Sequence, residues 1–131
     1  MKLLLIILCL LFGFSNITFA QIFEEPKENA LIMIHSPFCG FCKLFLSQSW
    51  NGEKYNKTEA GKEYPLAILD INEPENFEWY QKKVKGNLIQ AIRGTPTFIF
   101  WKDVKEVDHL VGYSRWEQFI ESIDIIRKEI K

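Results

Sequence analysis

A short apolar segment at residues 31–35 is followed almost at once by two closely spaced cysteines, Cys39 and Cys42. The segment is bounded by polar and proline residues, which is typical of a buried strand. From Cys39 to about residue 48, apolar side chains recur at helical spacing. The sequence therefore predicts a strand that bends into a helix, with both cysteines in the first turn of that helix.

The remainder of the chain alternates between the two kinds of pattern. Residues 49–65 are polar and contain glycines, so we expect a long surface connection there. Residues 88–93 predict a further helical turn. The predicted strands are 31–35, 66–71, 97–101 and 106–111, and the predicted helices are 39–48, 74–86 and a last one from Trp116. This order predicts an α/β fold in three layers, with a central mixed sheet flanked by helices.

The N-terminal residues have the layout of a secretory signal peptide. Lys2 precedes an apolar stretch at residues 3–14, and Thr18 and Ala20 place small residues before a cleavage site. The stretch is too short for a confident membrane span, and the alternatives to a signal peptide are an uncleaved anchor or a buried helix. We therefore expect a signal peptide at residues 1–20, a lead-in at 21–30, a domain at 31–131, and a periplasmic or otherwise exported location.

The three cysteines in the chain are informative once export is assumed. Cys9 lies inside the predicted signal peptide, so only Cys39 and Cys42 remain in the mature domain. A disulfide between them closes a very small loop and removes little entropy from the unfolded chain, so redox chemistry explains the pair better than stability does. A structural zinc site is less favoured because it requires four ligands, and His35 and His109 are predicted on separate elements.

The spacing of the two cysteines suits a dithiol at a helix N-terminus. Free backbone N–H groups and the helix dipole favour negative charge there, which stabilises the thiolate of Cys39. In such motifs the pKa of the first thiol falls below its ordinary value of about 8.5. We expect Cys39 to attack a substrate disulfide and Cys42 to resolve the mixed disulfide. Gly40 leaves the surface above the sulfur uncrowded.

With these residues in place, the chain resembles the thioredoxin superfamily over about residues 28–130. Residues 92–98 resemble the segment that carries a cis-proline opposite the dithiol in that family, which implies that Pro96 is cis and that Thr95 and Pro96 line a substrate groove. Phe38 and Phe41 would supply its apolar lip. Residues 55–66 and 112–113 are similar to periplasmic thioredoxin-like proteins of sulfur-oxidation systems.

The resemblance also shows departures. Met33 occupies the position where thioredoxins usually carry an acid that relays a proton to the buried sulfur. Phe38 replaces the tryptophan before the first cysteine, and Phe41 replaces the proline between the cysteines. Because this dipeptide influences the reduction potential, the motif alone does not fix the direction of the reaction.

The resemblance implies a thiol–disulfide oxidoreductase that needs no cofactor beyond its own Cys39–Cys42 pair. We expect a monomer that reduces disulfides of exported proteins and is recharged by a membrane thiol donor. The formal charge of −1 gives no reason to expect a nucleic-acid partner. The alternatives are a dithiol oxidase, a disulfide isomerase, for which the chain lacks a dimerisation domain, and a module that binds one partner covalently through Cys39.

Overall fold

The computed structural model describes residues 22–130 and shows the predicted mixed sheet with helices on both faces. The predicted signal peptide lies outside the described residues. Within residues 22–130, no helix combines the length and apolar character needed to cross a membrane. The elements in chain order are β1 Ala30–His35, α1 Gly40–Gln48, α2 Glu53–Asn56, α3 Glu59–Glu63, β2 Leu66–Asp70, α4 Pro74–Lys85, β3 Thr97–Lys102, β4 Lys105–Val111 and α5 Trp116–Ile130.

The sheet has four strands in the order β2, β1, β3, β4. Strands β1 and β2 are parallel, whereas β3 is antiparallel to both of its neighbours, β1 and β4. The central positions of β1 and β3 explain why their residues are almost all buried and read as apolar runs in the sequence. The predicted fold is confirmed.

Alternation along β1 divides the core into two clusters on opposite faces of the sheet. Leu31 and Met33 face the cluster that also contains the buried side chains of α1 and α5. Ile32 and Ile34 face the other cluster, which α4 and residues 22–29 cover. The sheet is thus buried on both faces, and β1 carries the chain straight from the centre of the core to the turn before α1.

The segment at residues 22–29 is held on the second face of the sheet by directed contacts. The indole N–H of Trp101 donates a hydrogen bond to the Pro26 carbonyl oxygen at 3.0 Å. The backbone N–H of Phe23 donates to Asn76 Oδ1 at 2.8 Å, and its ring packs edge-to-face on Trp79. This segment therefore completes the second cluster.

The expectation of a plain surface connection at residues 49–65 is wrong. The segment forms the short helices α2 and α3, and Tyr55 and Tyr64 are completely buried. The Tyr55 hydroxyl donates to the Tyr64 carbonyl oxygen at 2.8 Å, and burial raises the pKa of Tyr55. The polar composition hid this packing because only a few side chains of the segment, widely spaced, enter the core.

The expectation of a helical turn at residues 88–93 is also wrong. Asn87 has a left-handed backbone (φ 60°), which ends the helical path after α4. The following segment is irregular and docks on the edge of the sheet. Leu88 accepts a hydrogen bond from the Glu106 N–H at 2.8 Å, and the Ile92 N–H donates to the Tyr80 hydroxyl at 2.8 Å. These long-range bonds replace the local bonds of a helix.

Candidate active site

The two cysteines lie where β1 ends and α1 begins. Cys39 is the N-cap residue of α1, with an extended backbone (φ −90°, ψ 112°), and Cys42 lies in the first turn. The sulfur of Cys39 accepts a hydrogen bond from the backbone N–H of Cys42 at 3.1 Å. The sulfur thus takes the place of the polar oxygen that usually satisfies a free N–H at a helix start.

The two sulfurs are joined in a disulfide but differ in their surroundings. Cys42 is fully buried in the same apolar cluster as Met33, Phe45 and Phe98. Cys39 is only partly buried and packs at the margin of that cluster. An incoming disulfide therefore has access to Cys39 and not to Cys42.

The turn that presents Cys39 is fixed by hydrogen bonds to Ser36. The backbone N–H of Cys39 donates to the Ser36 carbonyl oxygen at 3.1 Å, and the N–H of Phe38 donates to Ser36 Oγ at 3.2 Å. Pro37 lies between them and restricts the backbone further. The hydrogen bonds of this turn and the start of α1 together fix the position of the Cys39 sulfur.

A second segment, far away in the sequence, approaches the same sulfur. The Thr95–Pro96 peptide bond is cis, and the Thr95 carbonyl oxygen lies 3.3 Å from Cys39 Sγ. The Pro96 carbonyl oxygen accepts a hydrogen bond from the Gly112 N–H at 2.7 Å, which ties this segment to the end of β4. The structure therefore brings together Cys39, Thr95 and Pro96.

Two aromatic side chains beside the cysteines point into solvent. Phe38 is 85% exposed and Phe41 is 61% exposed. Gly40 lies between them, and a Cβ built on it would have no atom within 4 Å. Exposed aromatic side chains around an open backbone are typical of a surface that a partner covers.

Met33 stands at the position where the resemblance led us to look for a proton-relaying acid. Its side chain is completely buried in the apolar cluster that contains Cys42. His35, which was not predicted as a site residue, follows Met33 on the same strand by two residues. His35 is partly buried next to Asp70, the residue paired with it across β1 and β2. Burial lowers the pKa of His35, and the negative charge of Asp70 opposes part of this effect. Side chains two positions apart on a strand share one face of the sheet, so His35 lies on the same face as Met33 and the cluster that contains Cys42. This alternation could have been recognised in the sequence.

Across residues 22–130, no group of three or more His, Cys, Asp or Glu side chains is arranged to hold a metal ion. The described site offers the two sulfurs and the exposed aromatic rim, with His35 and Asp70 on the adjacent strands β1 and β2.

Comparison with known proteins points to one fold. A family model described as a thioredoxin-like domain matches residues 19–126. The reduced form of the periplasmic thioredoxin SoxS from Paracoccus pantotrophus superposes with a TM-score of 0.63 at 21% identity, covering 79% of this chain and 100% of that chain. The thioredoxin Mala s 13 from Malassezia sympodialis gives 0.54 at 24% identity, with 76% and 78% covered. Thioredoxin from Aeropyrum pernix gives 0.51 at 22% identity, with 76% of each chain covered. The comparison with curated protein sequences returned no match.

Proposed function

Since the chain belongs to the thioredoxin-like domain family and is a thiol–disulfide oxidoreductase, we propose that it works after export as a reductase of protein disulfides. The observation that carries this proposal is the contrast between the two sulfurs. Cys39 lies at the surface, at the helix N-terminus, and 3.3 Å from the Thr95 carbonyl oxygen, whereas Cys42 is fully buried. This contrast supports the roles of attacking and resolving thiol.

The reaction begins with the reduced dithiol. The thiolate of Cys39 attacks one sulfur of the substrate disulfide, so a bond forms between Cys39 and the substrate while the substrate S–S bond breaks and releases one thiolate. Cys42, after losing its proton, attacks Cys39 Sγ. The Cys39–Cys42 disulfide forms, and the second substrate thiolate leaves. The substrate gains two electrons from the dithiol, and its two thiolates take up the proton released by Cys42 and one proton from solvent.

The groove for the substrate is proposed to lie between the cis-proline segment and the aromatic rim. The backbone next to Pro96 is positioned to pair with an extended substrate segment, as an added strand would. Phe38 and Phe41 flank the attacking sulfur and would cover the apolar residues of that segment. Gly40 leaves room for its backbone. A folded or extended polypeptide suits this surface better than a small disulfide does.

Export rests on the N-terminal sequence, with Lys2, the apolar residues 3–14 and the small residues before Gln21. The proposal places the mature protein in the periplasm or another exported compartment, where disulfides persist and offer substrates. The dithiol must then be regenerated by a thiol donor that takes electrons across the membrane. Such a donor is a partner that the proposed direction requires.

The proposal is tested by the reduction of insulin disulfides with dithiothreitol as the electron source. The mature wild-type chain should accelerate the reaction strongly, and the Cys39→Ser variant should fall to the uncatalysed rate. Equal rates for the two proteins would overturn the proposed activity. A glutathione redox titration of the dithiol then decides the direction: a potential near the glutaredoxin or thioredoxin range, about −200 to −270 mV, supports a reductase, and one near −120 mV contradicts it.

A further inference from the structure

The segment that carries the cis-proline also carries a charged side chain with no role in the proposed reaction. Arg93 lies two residues before Thr95, whose carbonyl oxygen is 3.3 Å from Cys39 Sγ. Residues 86–101 contain no other charged residue. The guanidinium of Arg93 therefore belongs to the cis-proline side of the site.

The backbone on both sides of Arg93 is fixed by hydrogen bonds. On the N-terminal side, the Ile92 N–H donates to the Tyr80 hydroxyl at 2.8 Å. On the C-terminal side, the Thr97 hydroxyl donates to the Gly94 carbonyl oxygen at 2.6 Å. Because the flanking residues are already held, a ligand that binds the guanidinium has to order little more than the Arg93 side chain itself.

The guanidinium of Arg93 is available to a partner. Arg93 is exposed, and within residues 22–130 it forms neither an ion pair nor a side-chain hydrogen bond. Arg127 shows the opposite case, since its nitrogens lie 3.0 Å from carboxylate oxygens of both Glu63 and Asp124. A structural role explains Arg127, and nothing inside the described part of the domain explains Arg93.

The loops that form the site carry positive charge and no negative charge. These are the dithiol loop, the cis-proline segment and the turn after β4 that is bonded to Pro96, at residues 36–43, 92–97 and 111–114. Their charged residues are Lys43 and Arg93, both exposed. The whole chain has a formal charge of −1, so this surface differs in sign from the average of the protein.

The acids of the neighbouring elements do not pair with these two cations. Asp70, at the end of β2, accepts the Asn72 N–H at 2.9 Å through Oδ1. Glu106 lines a cleft beside Arg93, but its side chain is mostly buried and its carboxylate lies 3.4 Å from His109 Nδ1. The positive charge beside the dithiol is therefore left for a ligand from outside the domain.

We propose that Arg93 is a specificity residue, which favours polypeptides whose reactive disulfide is flanked by Asp or Glu. The inference rests on the proposed function, with Cys39 as the attacking sulfur. A substrate that pairs with the backbone next to Pro96 brings the residues beside its own cysteine to the segment that carries Arg93. The planar guanidinium can bind a carboxylate there through two parallel hydrogen bonds, and Lys43 adds a second positive charge on the side of α1.

The first test uses three synthetic peptides, each with one disulfide, that differ only in the residues beside the cysteines: Glu, Gln or Lys. Flanking charges also change the intrinsic reactivity of a disulfide, so the kcat/KM ratio of the Glu to the Gln peptide is compared between wild type and Arg93→Gln. The ratio should be about threefold higher in wild type, as expected for an exposed ion pair. The Lys peptide should show the reverse preference. Equal ratios in the two proteins would overturn the inference.

Two further variants separate this contact from an effect of net charge. Lys105→Gln removes the same charge from an exposed position at the opposite end of the β3–β4 hairpin, and it should keep the wild-type ratio. Arg93→Lys should restore most of the preference. In about 1 M salt, where the Debye length is about 3 Å, the preference should largely disappear. A ratio that falls equally in Lys105→Gln and Arg93→Gln would contradict a local contact.

The second test measures whether Arg93 acts on the sulfur instead of the substrate. Iodoacetamide is uncharged, so it should alkylate Cys39 at the same rate in reduced wild type and in reduced Arg93→Gln. A rate lowered in the variant by the same factor as the peptide reaction would overturn the inference and leave the proposed function intact. Failure of wild type to reduce any of the three peptides would overturn the proposed function as well.

Discussion

Phe41 and Phe45 lie one turn apart on α1, yet they occupy opposite environments. Phe41 is 61% exposed close to Cys39 in the sequence, while Phe45 is completely buried. The ring of Phe45 packs edge-to-face against Phe98, Tyr113 and Phe119 at centroid distances of 4.9, 5.2 and 5.0 Å. Packing of the core explains why an aromatic residue stands at position 45. It does not explain why one stands at the exposed position 41.

The two cysteines follow the same division. Cys42 belongs to the buried side of α1 with Phe45, and Cys39 belongs to the exposed end with Phe38 and Phe41. One short helix thus fixes Cys42 to the core through one face and leaves Cys39 partly exposed at its N-terminus. A rigid element that carries the reactive group is what a substrate site requires for precise positioning.

The largest expected effect comes from the buried side of this helix. Phe45→Ala should lower the free energy of unfolding by about 3–5 kcal/mol, because it removes a ring from a closely packed aromatic cluster. Urea unfolding followed by circular dichroism measures the loss. The matched control is Phe41→Ala on the same helix. A loss below about 1 kcal/mol for Phe45→Ala would contradict the division between the two faces.

An effect of intermediate size is expected from the buried Tyr55, which packs against the same cluster from α2. Burial raises the pKa of its hydroxyl in the folded state, so the unfolded chain loses this proton first as the pH rises. Stability should therefore fall above about pH 10 by up to about 1.4 kcal/mol per pH unit from this one group.

The Tyr55→Phe variant supplies the comparison. Its stability should decline less steeply above pH 10, while at pH 7 it should be lower than that of wild type by about 1–3 kcal/mol because the Tyr64 carbonyl oxygen loses its donor. Thermal unfolding at a series of pH values separates the two effects. Parallel stability curves for variant and wild type across the alkaline range would show that Tyr55 ionises as freely in the folded state as in the unfolded one.

The smallest effect on stability is expected for the exposed side chain of Phe41. Its replacement should weaken the reaction with a polypeptide substrate and leave the reaction with a small disulfide unchanged. Phe41→Ala should change the free energy of unfolding by no more than about 0.5 kcal/mol. The KM for insulin should rise by about threefold to tenfold, since a partly covered aromatic contact is worth about 1 kcal/mol. The rate with a small disulfide such as hydroxyethyl disulfide should stay unchanged. An equal loss with both substrates would place Phe41 in support of the sulfur itself and not of a polypeptide contact.

The parts that could be predicted from the sequence depend on local patterns. The apolar residues of β1, the helical spacing after Cys39 and the two-residue gap between the cysteines all act over a few positions, so the strand, the helix and the dithiol followed directly. The approach of Thr95 and Pro96 to Cys39 required the family resemblance, because no local rule relates segments that are 56 residues apart.

The parts that could not be predicted depend on contacts between distant elements. Tyr55 and Tyr64 are separated by polar residues, and their burial follows from the packing of α5, whose Arg127 also binds Glu63 at 3.0 Å. The irregular path of residues 88–93 could not be predicted, because the bonds that hold this segment come from α4 and β4. The partnership of His35 with Asp70 depends on the register of two strands, which the sequence does not state.

The central claim is that Cys39 attacks and Cys42 resolves. The most direct measurement incubates reduced Cys42→Ala and Cys39→Ala variants with a peptide disulfide and maps the adducts by mass spectrometry. We expect a persistent mixed disulfide on Cys39 in the Cys42→Ala variant and little or no adduct on Cys42 in the Cys39→Ala variant. Equal adducts on the two cysteines, or a faster adduct on Cys42, would contradict it.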